Sequence, residues 1–290
     1  MLPSLPHRPP DGHKGTFGRV AIIGGSVGLS GAVCLTSVAA LRSGSGLVTA
    51  CIPRSIQNIV ATFEPCVMTV GLPDLDGHLL APEPALLTQL LEGPDAVACG
   101  PGLGRTPSAL AWPLQLLSHA VCPIVLDADA LQPSLTQALL TPRRAPCVLT
   151  PHPGEFARLT GLSIPEIDAN REVLAAEFAS THHVTLVLKG HRTVVTDGQR
   201  SFVNTTGNSG MATGGSGDVL TGILASLLGQ GLNPFEAAAI AVHAHGSAGD
   251  IAADQYTPRA MIASDLLKTL PAAWKLLDPP PPSSSLRRRI

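Results

Sequence analysis

This 290-residue chain has few aromatic residues and no surplus of positive charge. Phe, Trp and Tyr together make up 3% of the residues, and the formal net charge is −2. A chain without a basic surplus does not attract nucleic acid, so we expect no nucleic-acid partner. The only basic run, at residues 287–289, closes a tail rich in Pro and Ser.

Cysteine pairs and long apolar runs are missing as well. The six cysteines, at positions 34, 51, 66, 99, 122 and 147, show no CxxC spacing, and most lie in apolar runs. This pattern is typical of free thiols in a reducing compartment. No apolar stretch approaches the roughly 20 residues of a membrane span without Gly or polar breaks, and no signal-peptide core is present. We therefore expect a cytoplasmic protein without membrane contact.

The chain does contain apolar runs that alternate between strand-like and helix-like patterns. Residues 19–25 and 46–53 predict buried strands on either side of a small-residue helix that begins near Gly31. Further strands are predicted within 95–104, 123–131, 147–159 and 184–190, a polar helix around 165–181, a hairpin within 191–204, and helices over 218–229, 233–254 and 263–277. A β-α-β opening and continued alternation predict an α/β domain with a mostly parallel central sheet flanked by helices.

The two ends of the chain differ from this pattern. Residues 1–12 are rich in Pro and predict a flexible N-terminal arm, whereas 278–290 have the low-complexity composition of a disordered tail. We therefore expect one domain over residues 13–277.

A glycine-rich junction precedes one of the predicted helices. Gly214-Gly215-Ser216-Gly217-Asp218 leads into an apolar helical run. Backbone N–H groups and the positive end of a helix meet at such a junction, which suits an anion such as phosphate. A carboxylate beside a bound phosphate is repelled, so Asp218 suggests a base that takes a proton from a hydroxyl during phosphoryl transfer. The alternative is that Asp218 is only a helix N-cap.

Other polar and glycine-rich clusters follow the predicted strands. Ligands bind beyond the carboxyl ends of parallel strands, so we expect these clusters to share one edge of the sheet. They comprise Gly100 to Gly104, the pair Asp127 and Asp129, His152 between two prolines, and Lys189. Asp127 and Asp129 are two residues apart at a strand end, so their side chains are expected to point the same way. They could cap the following helix or support the site, or they could hold Mg²⁺ through water. His152 fits a structural role and a substrate donor equally well, whereas Lys189 favours phosphate contact.

With these motifs assembled, the chain resembles the ADP-dependent NAD(P)H-hydrate dehydratases of the ribokinase-like superfamily. The motifs that carry the resemblance are HKGTFGRVAIIGGS (13–26), GAVCLTSVAALRSGSGLV (31–48), GPGLG (100–104), VLDADAL (125–131), LTPHPGEFARL (149–159), LKGHRTVV (188–195), NTTGNSGMATGGSGDVLTGILASLLGQGL (204–232) and ASDLLKTLP (263–271). The resemblance implies a three-layer α/β/α fold and an enzyme that returns hydrated NADH or NADPH to the working cofactor. ADP would be the phosphoryl donor, and AMP and phosphate would be released.

Family roles transfer to matching positions. The hydrate would lie against Ala39, Gly102, His152 and Asp218, with Asp218 catalytic. The adenine nucleotide would contact Lys189, Gly190, His191, Arg192, Thr193 and Gly217. The N–H groups of Gly215, Ser216 and Gly217 would form an anion hole. Mg²⁺ would be held through the nucleotide phosphates, with no metal site on the protein.

The resemblance also implies a homotetramer and a separate epimerase in the same pathway, so that this chain acts on the S-epimer alone. The chain departs from the family pattern near Leu29, where a family aromatic is missing from the loop of residues 26–30. One alternative is a ribokinase-like small-molecule kinase of the hydroxyethylthiazole-kinase type. Another is a nucleotide-binding protein without catalysis.

Overall fold

The computed structural model describes residues 2–278, and a nine-stranded sheet runs through them. Its strands are β1 (Arg19–Ile23), β2 (Leu47–Pro53), β3 (Met68–Leu72), β6 (Ala96–Cys99), β7 (Ile124–Leu126), β8 (Cys147–Leu149), β9 (Thr185–Leu188), β10 (Val194–Thr196) and β11 (Ser201–Val203). A separate two-stranded hairpin consists of β4 (Asp74–Leu75) and β5 (His78–Leu79). The order across the sheet is β11-β10-β9-β8-β7-β6-β1-β2-β3. All pairs from β3 to β9 are parallel, and the last two are antiparallel.

Helices cover both faces of the sheet. They are α1 (Ser30–Arg42), α2 (Gln57–Ala61), α3 (Pro84–Leu91), α4 (Ala111–His119), α5 (Ser134–Leu139), α6 (Pro153–Thr160), α7 (Ile164–Ala169), α8 (Arg171–His182), α9 (Ser216–Gly229), α10 (Pro234–Ala260) and α11 (Ala263–Leu277). Side chains alternate between the faces of each strand, so Ile22 joins one core and Ile23 the other. The predicted three-layer α/β/α architecture is confirmed.

Small residues allow α1 and α9 to pack closely against each other. A Cβ on Gly222 of α9 would lie 2.7 Å from the Cβ of Ala39 and would also collide with the Thr36 carbonyl oxygen. Both helices therefore need Ala and Gly at their contact, which agrees with the low aromatic content of the sequence. This contact fixes the start of α9 above the sheet edge.

Several boundaries differ from the sequence predictions. The polar helix predicted around 165–181 is two helices, because Asn170 leaves helical geometry and separates α7 from α8. The helix predicted over 233–254 extends to Ala260 through a kink at Thr257, whose φ is +66°. Residues 54–94, for which no element was predicted, contain β3 to β5, α2 and α3.

The N-terminal arm carries neither helix nor strand over residues 2–12. Leu5 packs on the core, and the Arg8 guanidinium lies 3.9 Å from the centre of the Phe17 ring. The predicted disordered tail lies outside the described residues from position 279 onward. Among residues 2–278, no helix has the length and apolar character needed to cross a membrane.

Candidate active site

The N-terminal turn of α9 lies at the carboxyl edge of the sheet and begins at Gly215. This residue has a φ of +92°, and a Cβ there would lie 2.6 Å from the Leu35 side chain. Only glycine accommodates both constraints. The Ser216 N–H already donates to the Thr213 carbonyl at 3.3 Å, a long contact. The N–H groups of Gly215 and Gly217 make no backbone hydrogen bond within residues 2–278, so they are the ones open to an anion.

Asp218 lies in the first turn of α9, but it is not the N-cap, which is Gly215. The alternative interpretation of Asp218 as a cap is therefore wrong. Its carboxylate accepts no hydrogen bond from residues 2–278. Burial raises the pKa of Asp218 from 3.8 to about 7, the negative charge of Asp127 adds to the rise, and Lys189 opposes it. A carboxylate with a pKa near neutrality and no partner is suited to accept a proton.

Lys189 links three parts of the site at the end of β9. Its Nζ lies 2.6 Å from Asp127 Oδ1 and 3.7 Å from Glu155 Oε2. Burial disfavours the ammonium, but the two carboxylates outweigh burial and raise the pKa of Lys189. A Cβ on Gly217 would lie 3.3 Å from this Nζ, so the ammonium is next to the first turn of α9. The structure thus places a permanent positive charge beside the open N–H groups.

Asp127 ties Lys189 to α9. Its side chain is only 1% exposed, and its second oxygen accepts a 2.7 Å hydrogen bond from Thr221 Oγ1 of α9. Burial disfavours the ionised carboxyl, yet the charge and hydrogen bonds of Lys189 and the Thr221 hydroxyl lower the pKa of Asp127. Asp127 is therefore a charged anchor for both Lys189 and the helix.

The prediction that Asp127 and Asp129 point the same way is wrong. The strand ends at Leu126, and Ala128 has a φ of +51°, which turns the chain between the two carboxylates. Asp129 instead accepts the Gly104 N–H at 3.1 Å and the Arg105 Nε at 2.8 Å. Neither side chain caps the short 3-10 helix Ala128–Ala130. They support two different walls of the site.

His152 is the N-cap of α6. Its Nδ1 accepts hydrogen bonds from the N–H groups of Gly154 at 3.0 Å and Glu155 at 3.2 Å. Because Nδ1 accepts, the ring proton of the neutral form is on Nε2, which lies 3.4 Å from Glu155 Oε1. Burial and the charge of Lys189 lower the pKa of His152, which favours the neutral ring. The structural role is thus present, and the half-exposed ring remains accessible to a ligand.

The loop of residues 100–104 packs against residues 26–29 and is attached to Asp129. A Cβ on Gly102 would lie 2.5 Å from the Leu29 carbonyl oxygen, and the Gly102 carbonyl accepts a 2.9 Å hydrogen bond from Ser26. Ala39 lies elsewhere: it is completely buried between α1 and α9, where its methyl group faces Gly222. A bound hydrate would not reach Ala39 without movement of a helix, so we leave Ala39 out of the candidate site.

The expected nucleotide residues form the turn between β9 and β10. His191 and Arg192 are exposed, and Arg192 has a φ of +56°. The Thr193 hydroxyl and Gly190 exchange hydrogen bonds that close the turn. The turn contains Lys189, Gly190, His191, Arg192 and Thr193, and it adjoins the first turn of α9 because Lys189 lies beside Gly217.

Sequence reasoning missed three contributors. Glu155 is 5% exposed and forms a capping box with His152, a pairing whose spacing of three residues was a readable signal. Thr221 holds Asp127, and no local pattern reveals that contact. His245 of α10 is buried, and its Nε2 lies 2.9 Å from the Ser216 carbonyl oxygen. Burial lowers the pKa of His245 to about 4, so this neutral ring steadies the turn that carries Asp218.

Metal ligands do not gather in the site. In the part of the chain that the structure describes, no group of three or more His, Cys, Asp or Glu side chains is arranged to hold a metal ion. The six cysteines are unpaired, and four of them are buried.

Comparisons with known proteins agree with this geometry. The family model described as NAD(P)H-hydrate dehydratase matches residues 20–272. The chain is 48% identical over 278 residues to a bifunctional NAD(P)H-hydrate repair enzyme of Moorella thermoacetica, covering 94% of this chain and 52% of that protein. It is 35% identical to the ADP-dependent (S)-NAD(P)H-hydrate dehydratase of Bacillus subtilis, covering 94% of each.

Structural likeness points the same way. The crystal structure of an ADP/ATP-dependent NAD(P)H-hydrate dehydratase from Bacillus subtilis, co-crystallised with ATP and Mg²⁺, aligns with a TM-score of 0.83 and 32% identity over 95% of both chains. The expected ribokinase-like fold is confirmed by this likeness. The chain spans about half the length of the bifunctional relatives it matches.

Proposed function

The chain belongs to the NAD(P)H-hydrate dehydratase family, and from that premise we propose that it repairs damaged nicotinamide cofactors. The reaction is the ADP-dependent dehydration of the S-epimer of hydrated NADH or NADPH, with release of AMP and phosphate. The observation that carries this proposal is Asp218, a partly buried carboxylate with a pKa of about 7 beside open N–H groups and Lys189. No residue between 2 and 278 donates a hydrogen bond to it.

Asp218 would act as the general base. Its carboxylate takes the proton of the ring hydroxyl while the oxygen attacks the β-phosphorus of ADP and the bond to AMP breaks. The hydroxyl thereby becomes a phosphate ester, a far better leaving group. Cleavage of the ring C–O bond then expels phosphate, and loss of a ring proton restores the double bond. The neutral His152 and the Gly102 loop would hold the hydrate against this base.

The first turn of α9 and Lys189 would stabilise the migrating phosphoryl group. The N–H groups of Gly215 and Gly217 would donate to the developing negative charge, and Ser216 would join them only if its contact with Thr213 opened. Asp127 and Glu155 hold Lys189 in its charged form, so its position is fixed before the substrate arrives. Such preorganisation costs nothing during the reaction.

The turn from Lys189 to Thr193 would bind the adenine nucleotide, with Gly217 at its phosphates. The carboxylates around the site are hard oxygen donors, but they form no three-ligand metal cluster within residues 2–278. Mg²⁺ would therefore be held mainly by the nucleotide phosphates, where it would neutralise their charge.

We further propose that residues 13–277 form one cytoplasmic dehydratase domain that assembles as a tetramer. The alanines of α10 between Ala237 and Ala252 are buried against their own domain, so a subunit interface would lie on another surface. Specificity for the S-epimer calls for an epimerase activity to supply it. A small-molecule kinase of the hydroxyethylthiazole-kinase type is the weaker alternative, because the relative that matches over full length is named a dehydratase.

The test is an absorbance assay at the reduced-nicotinamide band with hydrated NADH, Mg²⁺, and ADP or ATP in parallel. Recovery of absorbance with ADP, together with AMP and phosphate, supports the proposal and its donor. Recovery with ATP alone keeps the reaction and changes the donor. Binding of nucleotide without any recovery would favour the kinase, and a screen of small alcohols for a stable phosphate ester would follow.

A further inference from the structure

Four carboxyl groups gather in the candidate site, although both proposed substrates are polyanions. Asp127, Asp129, Glu155 and Asp218 all act electrostatically on this region. The charge of Lys189 is already balanced by the two carboxylates that contact it. The phosphates of a dinucleotide therefore need a positive group other than Lys189, whose charge is balanced by Asp127 and Glu155.

The Arg105 side chain is held in place by Asp129, beside the loop of residues 100–104. It directly follows the 100–104 loop, and its Nε donates to Asp129 Oδ1 at 2.8 Å. The other oxygen of Asp129 accepts the Gly104 N–H at 3.1 Å. One carboxylate thus fixes both the backbone at the end of the loop and the inner edge of the guanidinium. This double attachment restricts the rotamers of an arginine that would otherwise be free in solvent.

The outer edge of the Arg105 guanidinium is available. The side chain is 67% exposed, and its two terminal nitrogens make no hydrogen bond to any residue between 2 and 278. The charge of Arg105 contributes to lowering the pKa of His152, after the larger effects of burial and Lys189, so the guanidinium acts on the same region. Two parallel N–H donors in a fixed plane match the oxygens of a phosphate group.

We propose that Arg105 binds a phosphate group of the hydrated dinucleotide through its two terminal nitrogens, with Asp129 as the residue that orients it. This assignment rests on the proposed function, because it names the part of that substrate that Arg105 holds. The phosphate belongs either to the diphosphate bridge, which NADH and NADPH share, or to the 2′-phosphate, which only NADPH carries.

The test compares steady-state constants of Arg105→Gln and the wild-type chain with hydrated NADH and hydrated NADPH. We expect KM for the hydrated dinucleotide to rise roughly tenfold or more, as for a lost charge-assisted hydrogen bond, with KM for ADP and kcat within about twofold. An equal rise for both substrates indicates the diphosphate, and a rise for NADPH alone indicates the 2′-phosphate. Arg105→Lys keeps the charge but not the planar fork, so its KM should remain at least about threefold high.

Arg158→Gln is the matched control. Arg158 is also exposed and its charge also acts on His152, but no hydrogen bond from its side chain to residues 2–278 holds it toward the site. An equal rise in KM for the control variant would indicate general electrostatic attraction of the substrate and would overturn the assignment of a specific contact. An unchanged KM in Arg105→Gln, or a rise in KM for ADP instead, would also overturn it. Failure of the wild-type chain to turn over any hydrate would instead refute the proposed function.

Discussion

Replacing Asp218 with Asn should lower turnover by orders of magnitude and make the protein more stable. The unfolded chain loses the Asp218 proton near the ordinary pKa of 3.8, whereas the folded chain keeps it until about pH 7. As the pH rises between these values, the folded state therefore loses stability relative to the unfolded state, and the full cost is present above pH 7. Each pKa unit corresponds to about 1.4 kcal/mol, so the cost is on the order of 3 kcal/mol after allowance for solvent around this partly buried side chain.

Asn has the same shape but no charge, so Asp218→Asn should recover this free energy. Thermal unfolding at pH 8 should show a Tm higher by roughly 5–10 °C. The gain should fall to less than half at pH 5, because folded Asp218 is still protonated there and pH 5 is only about one unit above the pKa of the unfolded chain. Turnover should decrease by about 10²–10⁴-fold while nucleotide binding persists. An equal or lower Tm at pH 8 would refute the claim that ionised Asp218 destabilises the folded state. Unchanged turnover would refute the role of Asp218 as a base.

Three further perturbations test the surrounding groups. The pH profile of kcat/KM should rise to a plateau through about pH 7, because Asp218 of the free enzyme must be ionised to accept a proton. A flat profile between pH 5 and 9 with chemistry rate-limiting would contradict this. Lys189→Met leaves the buried Asp127 without its ion-pair partner and should lower the free energy of unfolding by about 3–5 kcal/mol in denaturant titrations. The double variant Lys189→Met, Asp127→Asn should recover part of this loss. No loss in the single variant would count against the ion pair. His245→Phe removes the donor to the Ser216 carbonyl and should lower kcat with little change in KM; an effect confined to KM would argue against positioning of the α9 turn.

Predictions from the sequence succeeded where a single pattern determines an element. The apolar runs of β1, β2 and β9 have the composition of buried strands, and the Asp197-Gly198 hairpin joins β10 and β11. They failed where the pattern is weak: β3 alternates exposed and half-buried residues at the edge of the sheet, and β4 and β5 have two residues each. Such short or edge elements are determined by tertiary contacts.

The candidate site shows the same division. The glycine junction before Asp218 and the position of Lys189 at a strand end follow from local sequence. The pairing of Lys189 with Asp127 does not, because the two residues are 62 positions apart along the chain. Asp127 also binds Thr221, which is 94 positions from it. The divergence of Asp127 and Asp129 depends on a positive φ at Ala128, which alanine rarely adopts and which no propensity predicts.

The central claim is that the ring hydroxyl itself takes the phosphoryl group before it leaves. A hydrate whose ring hydroxyl carries a heavy oxygen isotope tests this directly, with mass spectrometry of the phosphate released during a single turnover with ADP. The account predicts that the label appears in the phosphate, because the C–O bond breaks and the P–O bond to that oxygen survives. Unlabelled phosphate and label in water would contradict it, since water would then leave the ring without passing through a phosphate ester.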